Sequence, residues 1–506
     1  MKKLNIILFC SMLCIASCSE KTDLAEGKTF IVTFNSNNGS ELEAIPVKQG
    51  EKINEPQPPT RNDYLFCGWY VDDQTFVEKW DFAVNTVTKD VTLYANWNAK
   101  KTDIASGMTG ELTWVLCSDG TLTISGTGEM PDYVHNFVTG EPNVPWGMYK
   151  NKITSVIIDN SVSKVSSRAF GNCTNLTSVT IGKSVTFIGE NVFGGSLTSI
   201  DVDNDNTAYS SEDGVLFNRA KTNLIIYPTA KTGAYTIPNS VNSIENFAFF
   251  GCRNLTSVAI PNSIKSIGNN AFNGCSGLTS VTIPNSITII ESFTFRSCSK
   301  LTSIIIPNSV TSIGNAAFYS CAGLTSVTIP NSVTSIGIEA FGNCASLTSI
   351  NVDNNNTAYS SEDGVLFNKT KGMLLRCPAG KVGTYIIPNS VTTIVQGAFS
   401  ECIGLTSVTI PNSVRFIGQG AFSFCTSLTS LTIPNSVTNI GSWTFSYCTG
   451  LTEIINESAT PQAIQTGWNY FLDVDLSACT LRVPAASINA YRAAAVWKDF
   501  KNIVAI

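Results

Sequence analysis

Nine cysteines recur in register along the chain, and their spacing is the first feature that could carry chemistry. Within two runs each cysteine follows the previous one by 23 residues, and every member lies three residues after a phenylalanine and three before a leucine. The nine are Cys173, Cys252, Cys275, Cys298, Cys321, Cys344, Cys402, Cys425 and Cys448. A fixed period of this length is typical of a protein built from stacked repeats.

Three roles are open to such a column of thiols. Stacked coils would place neighbouring cysteine Cα atoms about 5 Å apart, which a disulfide can bridge, and an exported protein permits disulfides. A metal ion would need ligands that converge on one point, whereas a column spreads them along an axis. A buried cysteine also serves as a small apolar residue, and we favour free, buried thiols.

Four acidic residues offer a weak alternative, a calcium site. Asp201, Asp203, Asp205 and Glu212 have the spacing of positions 1, 3, 5 and 12 of an EF-hand loop. Position 6 of that loop is Asn206 rather than the required glycine, and the sequence predicts no flanking helices. We therefore expect no metal here and interpret this segment as a surface hairpin.

No pattern of residues in the sequence predicts catalysis. His135 is the single histidine, and the chain has neither a nucleophile elbow nor a phosphate-binding glycine loop. The formal net charge is -6 without any basic run, which argues against a nucleic-acid partner. We expect a protein without enzymatic activity and without a cofactor.

The 23-residue repeat predicts a solenoid over residues 153–456. In the coil that begins at Leu278, apolar residues alternate with serine and threonine, as in a strand with one buried face, and Pro284 then ends the strand. A second apolar pair precedes Phe295 and Cys298. We count twelve coils, mainly β with short helical turns, which must stack because a single coil cannot bury enough surface to fold alone.

Two coils are longer than the others because they carry insertions near 204–236 and 354–386. Both insertions contain the same 13 residues, at 206–218 and 356–368. Identical sequences in equivalent coils should adopt the same structure.

The solenoid needs a cap at each end, because an open coil would expose its core and a free strand edge. An alternating hairpin pattern together with Trp146 predicts an N-terminal cap over 107–152. Residues 457–506 leave the period and combine a strand-like segment with an alanine-rich, helical one. This segment is interpreted as the C-terminal cap.

The first residues of the chain predict export and lipid attachment. Lys2 and Lys3, a short apolar run and small residues are typical of a signal peptide over 1–17. The segment Ile15–Cys18 resembles a bacterial lipobox, which implies cleavage before Cys18 and acylation of that cysteine. Because several acyl chains anchor a protein stably, we expect a membrane-anchored protein that is exposed on the outer membrane.

A polar tether (18–28), a small β-module (29–97) and a polar linker (98–106) are expected to follow the lipid. The module resembles the Listeria–Bacteroides repeat, also called the internalin B-repeat, which implies a β-grasp-like spacer. The residues that carry the resemblance are Val32–Asn35, Pro59–Thr60, Gly68–Tyr70, Trp80–Phe82 and Leu93–Trp97. Its aromatic residues should pack inside, since so small a domain needs them in its core.

The solenoid itself resembles the BspA-like leucine-rich repeats of bacterial surface proteins. The matching pattern is Leu-Thr-Ser-Val-Thr-Ile-Pro-Asn-Ser-Val followed by Ile-Gly, Ala-Phe and Cys, and the resemblance covers roughly residues 107–506. It implies adhesion or the binding of an extracellular or host protein. A carbohydrate-binding accessory of a glycan-uptake system and a structural envelope protein are the alternatives.

Two sets of residues are candidates for binding. The first set lies on the solvent face of the strands, where hydroxyl groups predominate, and comprises Ser280, Thr282, Ser326 and Thr328. The second set replaces small residues between the repeat phenylalanine and cysteine, and comprises Phe250, Arg296, Tyr319, Phe424 and Tyr447. Exposed aromatic residues and arginine are typical anchors for a partner, although packing between coils would also explain them.

Overall fold

The computed structural model describes residues 27–133, 143–464 and 467–506, and the chain divides into two compact units after Thr102. The predicted signal peptide, the lipidation site Cys18, most of the tether and His135 lie outside the described residues. Within the described ranges, none of the helices has the length and apolar character needed to cross a bilayer.

The first unit is a four-stranded sheet in which β1 pairs in parallel with β4 and the other pairs are antiparallel. Its strands, in the sheet order β2-β1-β4-β3, are Ile45–Lys48, Thr29–Asn35, Val91–Ala99 and Tyr64–Tyr70. Every second residue of β1 is buried, as a strand with one covered face requires. Trp69 is fully buried and Trp80 nearly so, which gives these indole rings the expected role in the core.

The second unit starts with an antiparallel pair and then becomes a solenoid. The pair consists of β5 (Asp103–Thr109) and β6 (Leu112–Cys117), and β6 pairs with the first strand of the long sheet. Most of the segment 98–106, expected to be a linker, is therefore strand, since β4 ends at Ala99 and β5 begins at Asp103. The backbone groups of this segment are used in sheet pairing.

A first sheet runs along the solenoid and takes one strand from nearly every coil. Its strands are β7 (Thr121–Ser125), β9 (Ser155–Ile158), β11 (Ser178–Ile181), β13 (Ser199–Val202), β17 (Gly233–Thr236), β19 (Leu255–Ala259), β21 (Ser280–Val281), β24 (Ser326–Ile329), β26 (Ser349–Val352), β30 (Gly383–Ile386), β32 (Leu405–Thr409), β34 (Ser430–Ile433), β36 (Glu453–Asn456), β37 (Thr480–Val483) and β38 (Asn502–Ala505). Neighbouring strands pair in parallel except between β13 and β17, between β21 and β24, and between β26 and β30, where the sheet is interrupted. A single bridge between Thr282 and Ile305 marks the coil that has no full strand.

A second, narrower sheet is built from the apolar pair that follows the Pro-Asn turn. Its strands are β8 (Gly128–Glu129), β10 (Val162–Val165), β12 (Phe187–Ile188), β18 (Ser243–Ile244), β20 (Ser266–Ile267), β22 (Ile289–Ile290), β23 (Ser312–Ile313), β25 (Ser335–Ile336), β31 (Thr393–Ile394), β33 (Phe416–Ile417) and β35 (Asn439–Ile440). Most of these strands have two residues, because the chain turns inward at once toward the buried phenylalanine.

The fold class is confirmed as a mainly β solenoid, but the solenoid has about 15 turns rather than twelve. Much of the difference arises at the end of the chain, where β36, β37 and β38 pair in parallel as a continuation of the first sheet. The expected C-terminal cap thus extends the ladder, because pairing needs backbone groups and not the repeat sequence. Its helical part is short, with α1 at Ile488–Ala493 beside 3-10 turns at Ala485–Ser487 and Trp497–Asp499. A further 3-10 turn lies near the start of the solenoid at Gly147–Tyr149.

The repeat phenylalanines form the centre of the core. Phe295 is fully buried, and its ring stacks on those of Phe272 and Phe318 at centroid distances of 5.4 and 5.5 Å. The stack is interrupted at the two insertions, and the apolar core is accordingly divided into three segments.

The insertions form antiparallel hairpins, as expected, but the middle strand of each is buried in the solenoid, so the expectation that they lie on the surface is wrong. The first insertion forms β14 (Tyr209–Glu212), β15 (Val215–Asn218) and β16 (Asn223–Ile226), and the second forms β27 (Tyr359–Glu362), β28 (Val365–Asn368) and β29 (Met373–Arg376). Val215 and Phe217 pack into the core segment that follows, whereas Leu216 packs into the one that precedes. We call β15 and β28 the partition strands, since each separates two segments of the core.

The two insertions are alike, as their identical sequences predict. Buried Asn206 donates from Nδ2 to the carbonyl groups of Gly182 and Val185, and its Oδ1 accepts from two backbone N–H groups of its own turn. Asn356 makes the equivalent four hydrogen bonds in the second insertion. Each asparagine therefore fastens its insertion to the coil before it.

Candidate functional site

The turn segments between the second sheet and the cysteine column form a third stack along the solenoid. Backbone N–H groups of each turn donate to carbonyl groups of the next, as in the bonds Phe293 to Asn315, Phe295 to Ala317 and Ser297 to Tyr319. The first and third donors of each turn adopt a left-handed backbone, with φ of 60° at Phe293 and 59° at Ser297. This conformation points both N–H groups along the stack.

Large aromatic residues occupy several of these left-handed positions, where most other coils have glycine, alanine, serine or asparagine. Bulky side chains rarely adopt positive φ, and such strain is of order 1–3 kcal/mol per residue. The residues are Phe247, Phe293, Phe424, Trp443 and Tyr447, with φ between 59° and 61°. Their rings remain half-buried or exposed, so burial in the core does not account for their presence.

Together with three neighbours at the adjacent position, these residues form what we call the aromatic turn face. It comprises Phe247, Phe250, Phe293, Arg296, Tyr319, Phe424, Trp443 and Tyr447. The sequence analysis identified five of the eight and missed Phe247, Phe293 and Trp443. Those three break the repeat in the same way, since the equivalent residue is Asn270 or Gly420 in other coils.

The candidate residues on the turns are brought together in groups along the stack. Phe424 and Tyr447 stack face to face with centroids 4.3 Å apart and an angle of 8° between the rings. Phe247 and Phe250 meet edge to face at 5.7 Å. Phe250 and Phe424 are 37% and 42% exposed, enough to contact a partner.

Arg296 and Tyr319 form the middle group. The Arg296 guanidinium lies 5.4 Å from the centroid of the Tyr319 ring and 5.8 Å from that of Phe293. The Tyr319 ring in turn lies over Gly342, where a Cβ atom would come within 2.7 Å of it. Its hydroxyl group reaches Oε1 of Glu401 at 2.7 Å. Burial and the neighbouring carboxylate raise the pKa of Tyr319 above its ordinary value, so the phenol stays protonated and donates.

Arg376 lies beneath this group and is almost fully buried at the second insertion. Its Nη1 and Nη2 donate to the carbonyl groups of Gly397 and Ser400, and Nη2 lies 3.7 Å from Oε2 of Glu401. Since a buried guanidinium is unfavourable without partners, these contacts fix the start of the third core segment.

The hydroxyl-rich candidates lie apart from the aromatic turn face, on the first sheet. Ser280, Thr282, Ser326 and Thr328 are all exposed. The threonine and serine side chains of this surface bond mainly along the stack, as where Thr279 Oγ1 donates to the carbonyl group of Thr256. This surface is neutral and regular, and the sequence prediction that it takes part in binding stays a prediction.

The nine cysteines of the column are buried and form no disulfide bonds. Six of them donate from Sγ to the phenylalanine carbonyl of the coil before them, with distances of 3.3 Å from Cys298 to Phe272 and 3.1 Å from Cys321 to Phe295. Cys252 and Cys402 donate instead to the carbonyl groups of Tyr227 and Cys377. Burial raises the pKa of the Cys298 and Cys321 thiols well above the ordinary value. The column is therefore both an apolar filler and a set of weak hydrogen-bond donors.

The structure does not gather the four acidic residues of the calcium alternative. Asp203 accepts from the backbone N–H of Asp205 in a local turn, and Glu212 forms an ion pair with Lys221 at 2.7 Å. Asp201 lies on β13 instead. Among the described residues, acidic, histidine and cysteine side chains form no group of three placed to hold a metal ion.

Comparison with known families and structures defines the class of this protein. The model of the BspA type leucine rich repeat region matches residues 148–230, 225–348 and 379–491, and the chain belongs to this family. The Listeria–Bacteroides repeat domain matches residues 30–96. Both resemblances that were drawn from the sequence are thereby confirmed.

Curated relatives share short stretches of this chain. A protein of Evansella cellulosilytica, named as a membrane protein, is 35% identical over 85 residues, which cover 17% of this chain and 13% of that protein. Internalin H of Listeria monocytogenes is 38% identical over 71 residues, which cover 14% of this chain and 13% of internalin H. The matched regions thus span about an eighth of the length of these relatives.

Solved structures of bacterial leucine-rich-repeat proteins are similar over most of the chain. A leucine rich cell surface protein of Faecalibacterium prausnitzii is 25% identical with a TM-score of 0.45, over 80% of this chain and 95% of that structure. A leucine-rich repeat protein of Bacteroides ovatus is 24% identical with a TM-score of 0.38, over 79% of this chain and 99% of that structure.

Proposed function

We propose that this chain is a non-enzymatic surface protein that binds an extracellular or host protein through the aromatic turn face. The carrying observation is the set of five large aromatic residues held in left-handed backbone positions. The local strain at these positions opposes folding, and glycine, alanine, serine or asparagine fills most of the same positions in other coils, where Arg168, Glu339 and Glu401 are the exceptions. Since the large rings do not stabilise the fold at these positions, contact with a partner protein explains their presence.

The chemistry of the aromatic turn face suits a protein partner. Aromatic residues and arginine are the residue types that carry most binding energy in protein interfaces. The groups around Phe250, Arg296 and Phe424 are spread over nine coils, from residue 247 to residue 447, so the face can bind an extended surface. The rings of its two pairs already contact each other, edge to face in one pair and stacked in the other, which lowers the entropy lost when a partner binds.

The test uses substitutions that introduce a residue already present at the equivalent position of other coils. Ser297 and Ser320 occupy the position of Phe424 and Tyr447, so the double variant Phe424→Ser, Tyr447→Ser should fold. Binding of the chain from Lys28 onward to immobilised extracellular-matrix proteins is measured by surface plasmon resonance. We expect saturable binding that weakens about tenfold or more in this variant, which corresponds to the loss of one interface hot spot.

The strand face provides the matched control. Thr282→Ala and Thr328→Ala remove two hydroxyl groups from the first sheet and should leave binding unchanged. If these variants weaken binding and the serine variants do not, the partner contacts the strand face instead. Binding confined to a glycan array would favour a carbohydrate-binding accessory, and the absence of binding in both assays would favour a structural envelope protein.

We further propose that the protein is attached to the bacterial outer membrane through acylation of Cys18. The support is the lipobox-like segment Ile15–Cys18 and the membership of a family of surface repeats. Replacing the thiol, as in Cys18→Ala, should remove incorporation of labelled palmitate and release the protein from the membrane fraction. Palmitate incorporation that persists in this variant would contradict the proposal.

A further inference from the structure

Two cavities lie at equivalent places beside the two insertions. Each opens where the second sheet is interrupted, next to the edge strand β12 in the first case and β25 in the second. The cavities measure about 290 and 410 Å³. The same contact frames both, since the hydroxyl groups of Tyr209 and Tyr359 accept from the N–H groups of Ile188 and Ile336, respectively.

The side chains that line the two cavities differ, although the frame is identical. The first cavity is lined by Glu190, Glu245, Phe247 and Phe250 among others. The equivalent residues at the second insertion are Ile338, Val395, Gly397 and Ser400. The first cavity is therefore acidic and aromatic at positions where the second is apolar or small.

The two carboxylates of the first cavity lack a cation. Oε1 of Glu245 accepts from Asn223 Nδ2 at 2.7 Å and from the hydroxyl of Ser243, and Oε1 of Glu190 accepts from Asn246 Nδ2 at 3.0 Å. Among the described residues neither carboxylate forms an ion pair, and the residues lining the cavity include no lysine, arginine or histidine. Glu190 is exposed and Glu245 is half-buried, so both carboxylates of the cavity remain accessible and without a positively charged partner in the described ranges.

The remaining walls also point to a ligand. Tyr227 lines the cavity and is only 3% exposed, and within the described part of the chain its hydroxyl group has no hydrogen-bond partner. The edge-to-face pair of Phe247 and Phe250 lies at the cavity and belongs to the aromatic turn face. Aromatic rings beside carboxylates bind organic cations, because ring faces and carboxylates both attract positive charge.

We propose that the first cavity takes the cationic side chain of a partner protein, with its ammonium or guanidinium group between Glu190 and Glu245. The alkyl stem of a lysine or arginine would lie against Phe250, and a polar atom could reach the Tyr227 hydroxyl. This inference rests on the proposed binding function and names the group that the partner presents at one end of the aromatic turn face.

The experiment compares two small probes of nearly equal shape. Saturation-transfer NMR on the chain from Lys28 to Ile506, which contains both compact units, is recorded with Nα-acetyl-lysine amide and with Nα-acetyl-norleucine amide. We expect signal transfer to the lysine probe and a tenfold weaker effect with the norleucine probe, which lacks the ammonium group. Equal transfer to both probes would overturn the proposal.

The residues beside the second insertion provide the substitutions for a variant that lacks both carboxylates of the first cavity. Glu190→Ile with Glu245→Val gives the first cavity the residues of the second, which already accommodates Ile338 and Val395 at these positions. This variant should lose transfer to the lysine probe, while Glu51→Gln with Glu78→Gln, which removes the same charge from the first unit, should keep it. Retained transfer in the cavity variant would also overturn the proposal.

Failure here is distinguishable from failure of the proposed function. If the cavity variant still binds extracellular-matrix protein like the unaltered chain, the aromatic turn face binds without a cationic anchor. If binding to that protein is lost in the Phe424 and Tyr447 variant alone, the face functions and only the cavity assignment is wrong.

Discussion

The hydroxyl group of Tyr319 donates a 2.7 Å hydrogen bond to Oε1 of Glu401, which lies 82 residues further along the chain. Tyr319 belongs to a coil of the middle core segment, and Glu401 to the first regular coil after the second insertion. The bond therefore joins two segments that the partition strand β28 separates. It can form because Gly342 has no side chain in the path of the Tyr319 ring.

Removal of this hydroxyl group should destabilise the solenoid. In Tyr319→Phe we expect the free energy of unfolding to fall by about 1–2 kcal/mol, the usual range for a hydrogen bond to a charged group. Urea unfolding followed by circular dichroism measures the change. Tyr447→Phe is the control, because the Tyr447 hydroxyl group has no partner among the described residues, and equal losses in the two variants would contradict the role of the bond.

The buried asparagines of the insertions should matter more than any exposed polar residue. Asn356→Ala leaves four backbone groups without their partners, and we expect a loss of about 3 kcal/mol or more in the free energy of unfolding. Asn206→Ala should have an equal effect, since its contacts are the same. Asn204→Ala, at an exposed position two residues earlier, should change the urea midpoint little, and a large change there would argue against this account.

The cysteine column should respond to substitution according to its hydrogen bonds. In Cys298→Ala the free energy of unfolding should fall by about 1–2 kcal/mol, because a small cavity forms and the donor to Phe272 is lost. Cys298→Ser keeps a donor of similar size and should cost less. Thermal unfolding of both variants measures the two losses of stability. Equal losses in Cys298→Ala and Cys298→Ser would show that the hydrogen bond donated by the side chain is unimportant.

Alkaline pH should weaken the fold. Since burial raises the pKa of Cys298 and Cys321 in the folded chain, both thiols stay protonated when the unfolded chain ionises near its ordinary pKa of about 8.5–9. The folded state then binds more protons, so its stability is complete below that pH and decreases as the pH rises above it. Urea midpoints between pH 7 and pH 10 measure the slope, which should be shallower in Cys298→Ala with Cys321→Ala.

The repeat allowed most of the fold to be predicted from the sequence. One 23-residue period fixes which positions face the core, and Phe295 and Cys298 lie where that period places them. The final turns were missed because Thr480–Val483 and Asn502–Ala505 join the ladder through backbone groups while departing from the repeat. Their hydrogen bonds leave no periodic signature in the side chains.

The burial of the insertions inside the solenoid could have been inferred from three consecutive apolar residues in each. Val215, Leu216 and Phe217 are all buried, which requires a strand covered on both faces and is incompatible with a surface hairpin. The cavities could not be predicted, because they depend on contacts such as that of Tyr209 with Ile188, which join residues 21 apart in an irregular coil.

The partition strands have a mechanical consequence. Each one shares its apolar side chains between two neighbours, so the solenoid consists of three blocks in series, each able to lose its packing while the next block keeps its own. If the chain is held at the membrane by one end and pulled through a partner bound to the aromatic turn face, tension would extend it in a few large steps. Under such a force, the solenoid would unfold one block at a time.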